Sequence, residues 1–293
     1  MRSFRPEEYF RPQSIEEAVK VLSGFAGKAK PIAGGTDLMV EKPPFVECLV
    51  DLTDLKLGYI EKEKGGIRVG ALTKISELEE SPILKEEPYT VIAAAARSIG
   101  SPNIRNMATL GGNLCHGAPS ADMAPSLISL ESEARIFGPK GTRTVALEDF
   151  FTGVQKTVLG SDEILKEVFI PKPSPHTGAA FQKIGRTAVD LALANVGIKL
   201  TLSNEGRCKK ALIVLGAVAP TPIRAIKAEK LLEGEKITQA LIEKASLTSS
   251  TESAPIDDVR ASAEYRRKLI VYLTRNALKQ ANEMALRKGG DNR

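Results

Sequence analysis

Two Gly-Gly loops, each with a neighbouring threonine, contain the residues whose types and spacing could bind phosphate. The first loop is Ala33-Gly34-Gly35-Thr36-Asp37, and the second is Thr109-Leu110-Gly111-Gly112-Asn113. Adjacent glycines let main-chain N–H groups converge, and an anion can approach them closely because no Cβ stands in the way. Either loop alone is also what a turn at the end of a strand requires. Together they could hold the two phosphates of one dinucleotide from opposite sides.

Asp122 follows the second loop and has two possible roles. It could accept a hydrogen bond from a ribose or another hydroxyl of the same ligand, or it could be the N-cap of the helix that follows it. Other phosphate-binding patterns are missing from the sequence. No Gly-x-Gly-x-x-Gly follows a strand, as a Rossmann site requires, and no P-loop motif is present. The two glycine loops are therefore the candidate phosphate site.

The distribution of charge and of cysteines limits the functions that the chain can have. The 293 residues carry a formal net charge of +5, but the segment from Arg260 to Arg293 holds nine Lys or Arg against three Asp or Glu, so the rest of the chain is near neutrality. We therefore expect no nucleic-acid partner, and we expect Arg266, Arg267 and Lys268 to face solvent or a partner subunit. Three dispersed cysteines favour a reducing compartment and disfavour a metal site. With no signal peptide and no apolar stretch near ~18 residues, we expect a cytoplasmic protein without direct membrane insertion.

The elements that must position the loops follow from the hydrophobic pattern. Ser14 and Glu17 predict a capped helix that is followed by strands at 30–33 and 45–52, and these elements together form a small first lobe. Further on, a hairpin turns at Gly65-Gly66, and helices are predicted at 75–84, 89–99 and 124–130. Residues 100–113 have no helical period and are predicted to lack a helix.

Three prolines in residues 171–175 form the clearest break in the chain. They predict a first domain at 1–174, with lobes at about 1–57 and 58–174, and a second domain at 175–293. In the second domain, strands are predicted at 188–202 and 211–217, followed by helices at 227–232, 238–247 and 261–286.

Beyond the loops, the sequence resembles the FAD-binding medium subunit of molybdenum hydroxylases, the family of the carbon monoxide dehydrogenase and xanthine dehydrogenase flavoprotein subunits. The resemblance covers nearly the whole chain, in the family's order. The segments that carry it are 31–38 (PIAGGTDL), 104–114 (IRNMATLGGNL), 119–122 (PSAD), 162–165 (DEIL), 181–186 (FQKIGR), 216–225 (GAVAPTPIRA) and 258–267 (DVRASAEYRR).

The resemblance implies an α+β fold and an FAD site. The fold is the two-lobed FAD-binding fold of the vanillyl-alcohol-oxidase (PCMH) type, followed by a smaller C-terminal α+β domain with a short antiparallel sheet and helices. The two glycine loops are implied to hold the pyrophosphate through main-chain N–H donors. The implied cofactor-binding residues are Ile32, Ala33, Gly34, Gly35, Thr36, Asp37, Thr109, Gly111, Gly112, Asn113, Asp122, Leu165 and Lys183.

Some of these positions keep a second interpretation. Leu165 matches an apolar family position near the adenine or the ring system, but a buried leucine is ordinarily a core residue. Lys183 falls close to a family lysine beside the flavin, with Gln182 one position away, but a lysine on an exposed strand is ordinarily solvated. His116 is either a neighbour of the flavin or a polar residue lining the site.

The resemblance also implies what the chain does. It is expected to be an electron-transferring subunit that carries FAD, receives electrons from a [2Fe-2S] partner subunit and passes them to an external acceptor. The implied partners are a molybdopterin large subunit and a [2Fe-2S] small subunit, in a heterotrimer or a dimer of heterotrimers. No catalytic side chains and no metal ligands are predicted, and three cysteines are too few for an inserted iron–sulfur cluster. The alternative is a stand-alone FAD-dependent oxidoreductase.

Overall fold

The computed structural model describes residues 4–287, and its first lobe is a three-stranded parallel sheet with a helix packed on it. The order of the strands is β1-β3-β2. Ser14 caps the helix by accepting a hydrogen bond from Glu17 N at 3.1 Å, as the sequence predicts. The elements of this lobe are β1 (Glu8–Phe10), α1 (Ile15–Gly24), β2 (Ala29–Ile32), α2 (Leu38–Glu41) and β3 (Cys48–Asp51). The first glycine loop is therefore the connection between β2 and α2.

The second lobe is a five-stranded antiparallel sheet with five helices. The order of the strands is β4-β5-β10-β6-β7, and buried residues such as Leu127, Ile136 and Phe150 form its core. Its elements are β4 (Ile60–Glu63), β5 (Gly66–Gly70), α3 (Ile75–Glu80), α4 (Thr90–Arg97), α5 (Pro102–Met107), α6 (Leu110–His116), α7 (Met123–Ser129), β6 (Glu133–Gly138), β7 (Gly141–Ala146), a 3₁₀ turn (Leu147–Asp149), β8 (Phe151–Gly153), β9 (Lys156–Thr157) and β10 (Ile164–Pro171).

The prediction that residues 100–113 lack a helix is wrong, because α5 and part of α6 lie there. Each helix is short and capped: Ser101 accepts from Ile104 N, and Thr109 accepts from Gly112 N. Two glycines lower the helix propensity of α6 and obscure its period. Burial of Leu110 and Leu114 in the core of the second lobe stabilises α6 instead. The second glycine loop is thus the first turn of a helix.

The C-terminal part is a four-stranded antiparallel sheet, β11-β12-β13-β14, with α10 packed across β11 and β12 and α7 on β12 and β13. Because α10 and α7 both pack on it, β12 is buried along its whole length. The elements are β11 (Thr177–Ile184), β12 (Ala194–Leu202), β13 (Cys208–Gly216), β14 (Ile223–Arg224), α8 (Ile226–Leu232), α9 (Gln239–Glu252) and α10 (Ala263–Arg287).

The proline-rich segment connects β10 to β11. Most of the apolar residues after it form a core of their own, but Ala179, Phe181 and Val214 join the core of the second lobe. The division of the chain at residue 174 stays a prediction. Among the described helices, none is both long and apolar enough to cross a membrane.

Arg266 does not face solvent as predicted. It lies on α10 with only 4% of its surface exposed. Its guanidinium donates to the carbonyl oxygens of Leu193 at 2.8 Å and Ala217 at 3.3 Å, and it pairs with Asp258 at 2.9 Å. These carbonyl groups belong to loops that leave the sheet, so Arg266 fastens α10 to the sheet. A basic residue in a charged run is buried here because it finds acceptors for most of its donors.

Candidate cofactor site

The fold packs the first glycine loop against the residues that directly precede the second loop. A Cβ built on Gly34 would lie 1.9 Å from the carbonyl oxygen of Met107, the last residue of α5. The same carbonyl accepts a hydrogen bond from Lys74 Nζ at 3.2 Å. The segment after it is held by the N–H of Ile75, which donates to Ala108 O at 3.0 Å. The first lobe therefore meets the second beside the second glycine loop, as a two-loop site requires.

The two loops differ in the state of their main-chain N–H groups. In the second loop, the N–H groups of residues 110–113 donate to Thr73 O, Ala71 O, Thr109 Oγ1 and Thr109 O, at 2.7 to 3.0 Å. In the first loop, no described residue accepts a hydrogen bond from the N–H groups of residues 33–37. These residues are half-buried or exposed. The first loop thus offers five N–H donors without an acceptor among the described residues, and an anion-binding nest requires such donors.

The glycines of the second loop have different surroundings. A Cβ on Gly111 would lie 2.8 Å from both the Cβ and the carbonyl oxygen of Ala71, so this glycine permits close packing of α6 on the end of β5. A Cβ on Gly112 would meet only Thr109 Oγ1, at 3.0 Å, and Gly112 is exposed. In the first loop, Gly35 has φ of +68°, which favours glycine. Open space for a ligand therefore lies over Gly112.

Asn113 adds an unpaired polar atom at the second loop. Its Oδ1 is buried and has no hydrogen-bond partner among the described residues. A buried acceptor without a donor is unfavourable unless a ligand or water supplies one. The free N–H groups, the open face of Gly112 and this oxygen together fit a phosphate-containing cofactor that also carries hydroxyl donors.

Asp122 and Lys183 form a buried ion pair. Lys183 Nζ lies 2.5 Å from Asp122 Oδ2 and donates to Ser98 O at 2.8 Å, while Asn195 Nδ2 donates to Asp122 Oδ1 at 2.7 Å. Burial raises the pKa of the Asp122 carboxyl, whereas the Lys183 ammonium and the Asn195 amide favour its ionised form. Asp122 stands at the N-cap position of α7, but its side chain makes no capping hydrogen bond. The structure therefore joins two of the predicted site residues across the two halves of the chain.

Leu165 lies in the core of the second lobe, with 3% of its surface exposed. Its predicted contact with the cofactor stays a prediction. Cys115, beside the second loop, is held as a thiol because burial raises its pKa to about 12. It therefore provides no thiolate nucleophile at neutral pH.

His116 pairs with residues that connect both lobes. Its Nε2 lies 2.8 Å from Glu41 Oε1, at the end of α2, and 3.1 Å from Gln155 Nε2. Gln155 also donates to Glu41 Oε1 at 2.6 Å. Because α2 follows the first glycine loop and α6 contains the second, this cluster ties together the helices that extend from both loops.

Sequence reasoning missed several residues of the site. Asn195 is one, although an asparagine within the apolar run of β12 is a signal, because a buried amide needs polar partners. Glu41 and Gln155 carry no such signal, since each is far from His116 in sequence. Met107 contributes only its carbonyl group, which no side-chain pattern reveals.

Family comparisons agree with this geometry. The profile of the FAD-binding domain in molybdopterin dehydrogenases matches residues 2–173, and that of the CO dehydrogenase flavoprotein C-terminal domain matches residues 179–281. The chain belongs to this family. Its cofactor is FAD, and it is an FAD-dependent oxidoreductase subunit.

Relatives of this flavoprotein family match over nearly their full length. The carbon monoxide dehydrogenase medium chain of Afipia carboxidovorans is 35% identical over 95% of this chain and 97% of its own. The xanthine dehydrogenase FAD-binding subunit of Escherichia coli O157:H7 is 33% identical over 93% and 95%. The resemblance inferred from the motifs is therefore confirmed.

Solved structures confirm the fold. A chain of the carbon monoxide dehydrogenase from Hydrogenophaga pseudoflava, in a form lacking the Mo-pyranopterin moiety of the molybdenum cofactor, superposes with a TM-score of 0.91 at 32% identity, covering 97% of this chain and 99% of its own. A chain of quinoline 2-oxidoreductase from Pseudomonas putida 86 gives 0.89 at 29% identity, covering 98% and 100%. The predicted α+β class, with two lobes followed by a short antiparallel sheet and helices, is that of these flavoproteins.

Proposed function

We propose that this chain is the electron-transferring flavoprotein subunit of a molybdenum hydroxylase complex. In this proposal it receives electrons from a [2Fe-2S] small subunit and delivers them to an external acceptor, while a molybdopterin large subunit carries out the hydroxylation. The assembly is a heterotrimer or a dimer of heterotrimers. Relatives named as medium chains and FAD-binding subunits support this assignment. The observation that carries it is that the first glycine loop, whose five N–H groups have no acceptor among the described residues, packs against Met107, just before the second glycine loop.

The first loop is the proposed donor to the pyrophosphate, through the N–H groups of residues 33–37. The second loop is proposed to leave space for it at Gly112, since its own N–H groups are already bonded. No lysine is required, because converging N–H groups can replace the hydration of an anion. The residues we assign to the cofactor are Ile32, Ala33, Gly34, Gly35, Thr36, Asp37, Thr109, Gly111, Gly112, Asn113, Asp122, Leu165 and Lys183.

Asp122 and Lys183 are proposed to present a fixed polar edge to the cofactor. Their ion pair, together with Asn195, holds both side chains in a single arrangement. A residue held by two partners loses little rotamer freedom when a ligand arrives, which makes binding more favourable. The remaining donor capacity of Lys183 and acceptor capacity of Asp122 are available to polar groups of the cofactor.

When bound, FAD supplies the redox chemistry, since a flavin exchanges electrons singly or in pairs. The side chains around the site have other tasks. They orient the cofactor, whose pyrophosphate is bound by the main-chain N–H groups of the first loop. A cytoplasmic location and a division into domains at residue 174 belong to the same proposal. The three free cysteines support the location.

The test uses the assembly that this chain forms in its native host. We would tag the chain in its native host, purify the assembly and analyse it for flavin, molybdenum and iron. The assembly would then be reduced anaerobically with a limiting amount of reductant, while the absorbance of the iron–sulfur centre and of the flavin are followed in time. We expect the iron–sulfur centre to lose its electrons as the flavin gains them.

The rival function predicts a different outcome. A stand-alone oxidoreductase would purify without molybdenum or iron and would reduce an acceptor by itself. If the purified chain contains flavin and turns over without partners, the subunit proposal is wrong.

A further inference from the structure

A basic cleft lies at the other end of the C-terminal sheet from the candidate cofactor site. Asn195, which contacts Asp122, and Thr201, which lines the cleft, are six residues apart on β12. At a rise of about 3.3 Å per residue, they are separated by roughly 20 Å. The cleft has a volume of about 240 Å³, and its polar lining includes Glu131, Lys172, Lys199, Thr201, Lys209 and Lys210.

Two of its lysines share one carboxylate. Lys199 on β12 is only 6% exposed, and its Nζ donates to Glu131 Oε2, while Lys210 Nζ donates to Glu131 Oε1. Glu131 follows α7 with φ of +60°, a conformation that is unfavourable for a side chain larger than glycine. Burial lowers the pKa of Lys199, because it removes the water that would stabilise the charged ammonium. Two ammonium groups on one carboxylate leave this part of the cleft with a positive charge.

A β-bulge aims a further lysine into the cleft. On β13, Lys210 pairs with Thr201 and Cys208 pairs with Leu202, so Lys209 between them has no partner on β12. In a regular strand Lys209 and Lys210 would point to opposite faces of the sheet. The extra residue of a bulge redirects side chains, and here both lysines line the same cleft.

Lys172 also lines the cleft, between Pro171 and Pro173. Its proline neighbours restrict the main chain, so the lysine is carried by a stiff segment. Neither Lys172 nor Lys209 has an ion-pair partner within residues 4–287. The cleft therefore gathers four ammonium groups around one carboxylate.

We propose that this cleft is a binding site for a small, multiply charged oxyanion of the phosphate class. A volume of about 240 Å³ is below that of sites for drug-sized ligands, so a compact anion fits better than a nucleotide. Lysine is a common phosphate binder, and charge-assisted hydrogen bonds are the strong ones. The ligand is either free phosphate or the head of a phosphorylated metabolite.

The test measures binding of inorganic phosphate and of glycerol phosphate to the full chain by calorimetry. Ionic strength is held constant with chloride, and the Gly112→Val variant serves as host, so that the pyrophosphate site does not contribute. We expect saturable binding, weakened about tenfold or more in the double variant K172Q/K209Q, since each lost ammonium removes a charge-assisted contact. The matched control is Lys140→Gln, an exposed lysine in the turn between β6 and β7.

A second variant, Glu131→Gln, should change the affinity for phosphate in the opposite direction. It removes the competing carboxylate, and phosphate binding should become several-fold tighter. Equal binding of both ligands would identify a phosphomonoester head as sufficient, and binding of inorganic phosphate alone would identify the free anion. The proposal is overturned if phosphate does not saturate the chain at millimolar concentration, or if K172Q/K209Q binds as tightly as Lys140→Gln.

Discussion

Gly34 lies so close to the carbonyl oxygen of Met107 that a Cβ on Gly34 would stand 1.9 Å from it. The packing of the first lobe against α5 therefore requires a glycine at this position. Its neighbour Gly35 is required by a positive φ. The adjacent glycines of the first loop thus have separate tasks: one joins the lobes, and the other turns the chain.

Gly34→Ala should move the first glycine loop away from the end of α5. Its Cβ has no room beside Met107 O, so the lobes must move apart, at a destabilisation of about 1–3 kcal/mol. We expect a lower melting temperature and a large loss of bound FAD, measured on the purified assembly. Gly24→Ala is the matched control, because a Cβ at Gly24 meets nothing within 4 Å. FAD content at the wild-type level in Gly34→Ala would show that the contact between the first loop and Met107 is dispensable for FAD binding.

Lys183→Met should leave the buried Asp122 carboxylate without its ion-pair partner. Removing one partner of a buried pair is expected to destabilise the fold by about 3–5 kcal/mol, measured by urea unfolding. The double variant K183M/D122L should recover a substantial part of that loss. If both variants unfold at the same urea concentration, the ion pair does not couple the two halves of the chain.

The same variant predicts a dependence on pH. Burial already raises the pKa of Asp122, and without Lys183 the folded protein should hold the proton more strongly. Between the unfolded pKa of about 4 and the folded value, the folded state then binds more protons than the unfolded state, so stability falls as the pH rises. A stability of Lys183→Met that does not change between about pH 4 and about pH 7 would contradict this account.

Glu163→Gln should have the opposite dependence. The Arg143 guanidinium lowers the pKa of Glu163, which also accepts a hydrogen bond from Gly160 N. Its contribution is present above the unfolded pKa and lost as the pH falls through the lowered folded pKa. Because Arg143 is exposed, we expect Glu163→Gln to lower the free energy of unfolding by only about 0.5 kcal/mol at neutral pH. Glu80→Gln, an exposed carboxylate without an ion-pair partner among the described residues, is the control. If the free energies of unfolding of the wild type and of Glu163→Gln still differ at acidic pH, the stabilising role given to the Glu163 carboxylate is wrong.

The sequence predicts the presence of the two loops and the capped helix at Ser14 because these depend on local chemistry. It fails where tertiary contacts decide. The helix α6 forms despite Gly111 and Gly112, because the burial of Leu110 and Leu114 outweighs their low propensity. In the second loop, Thr109 accepts from two of the four N–H groups, and the other two are occupied because Thr73 and Ala71 reach the loop from elsewhere in the chain. Such long-range acceptors leave no local pattern.

The central claim is tested most directly by the FAD content of the purified assembly with wild-type chain and with Gly112→Val. A valine side chain at Gly112 would fill the open face where the pyrophosphate is proposed to lie, while within the chain a Cβ there meets only Thr109 Oγ1. We predict stoichiometric FAD in the wild type and in the Gly24→Val control, and almost none in Gly112→Val, with an unchanged far-UV circular dichroism spectrum. Wild-type FAD content in a folded Gly112→Val would contradict the two-loop site.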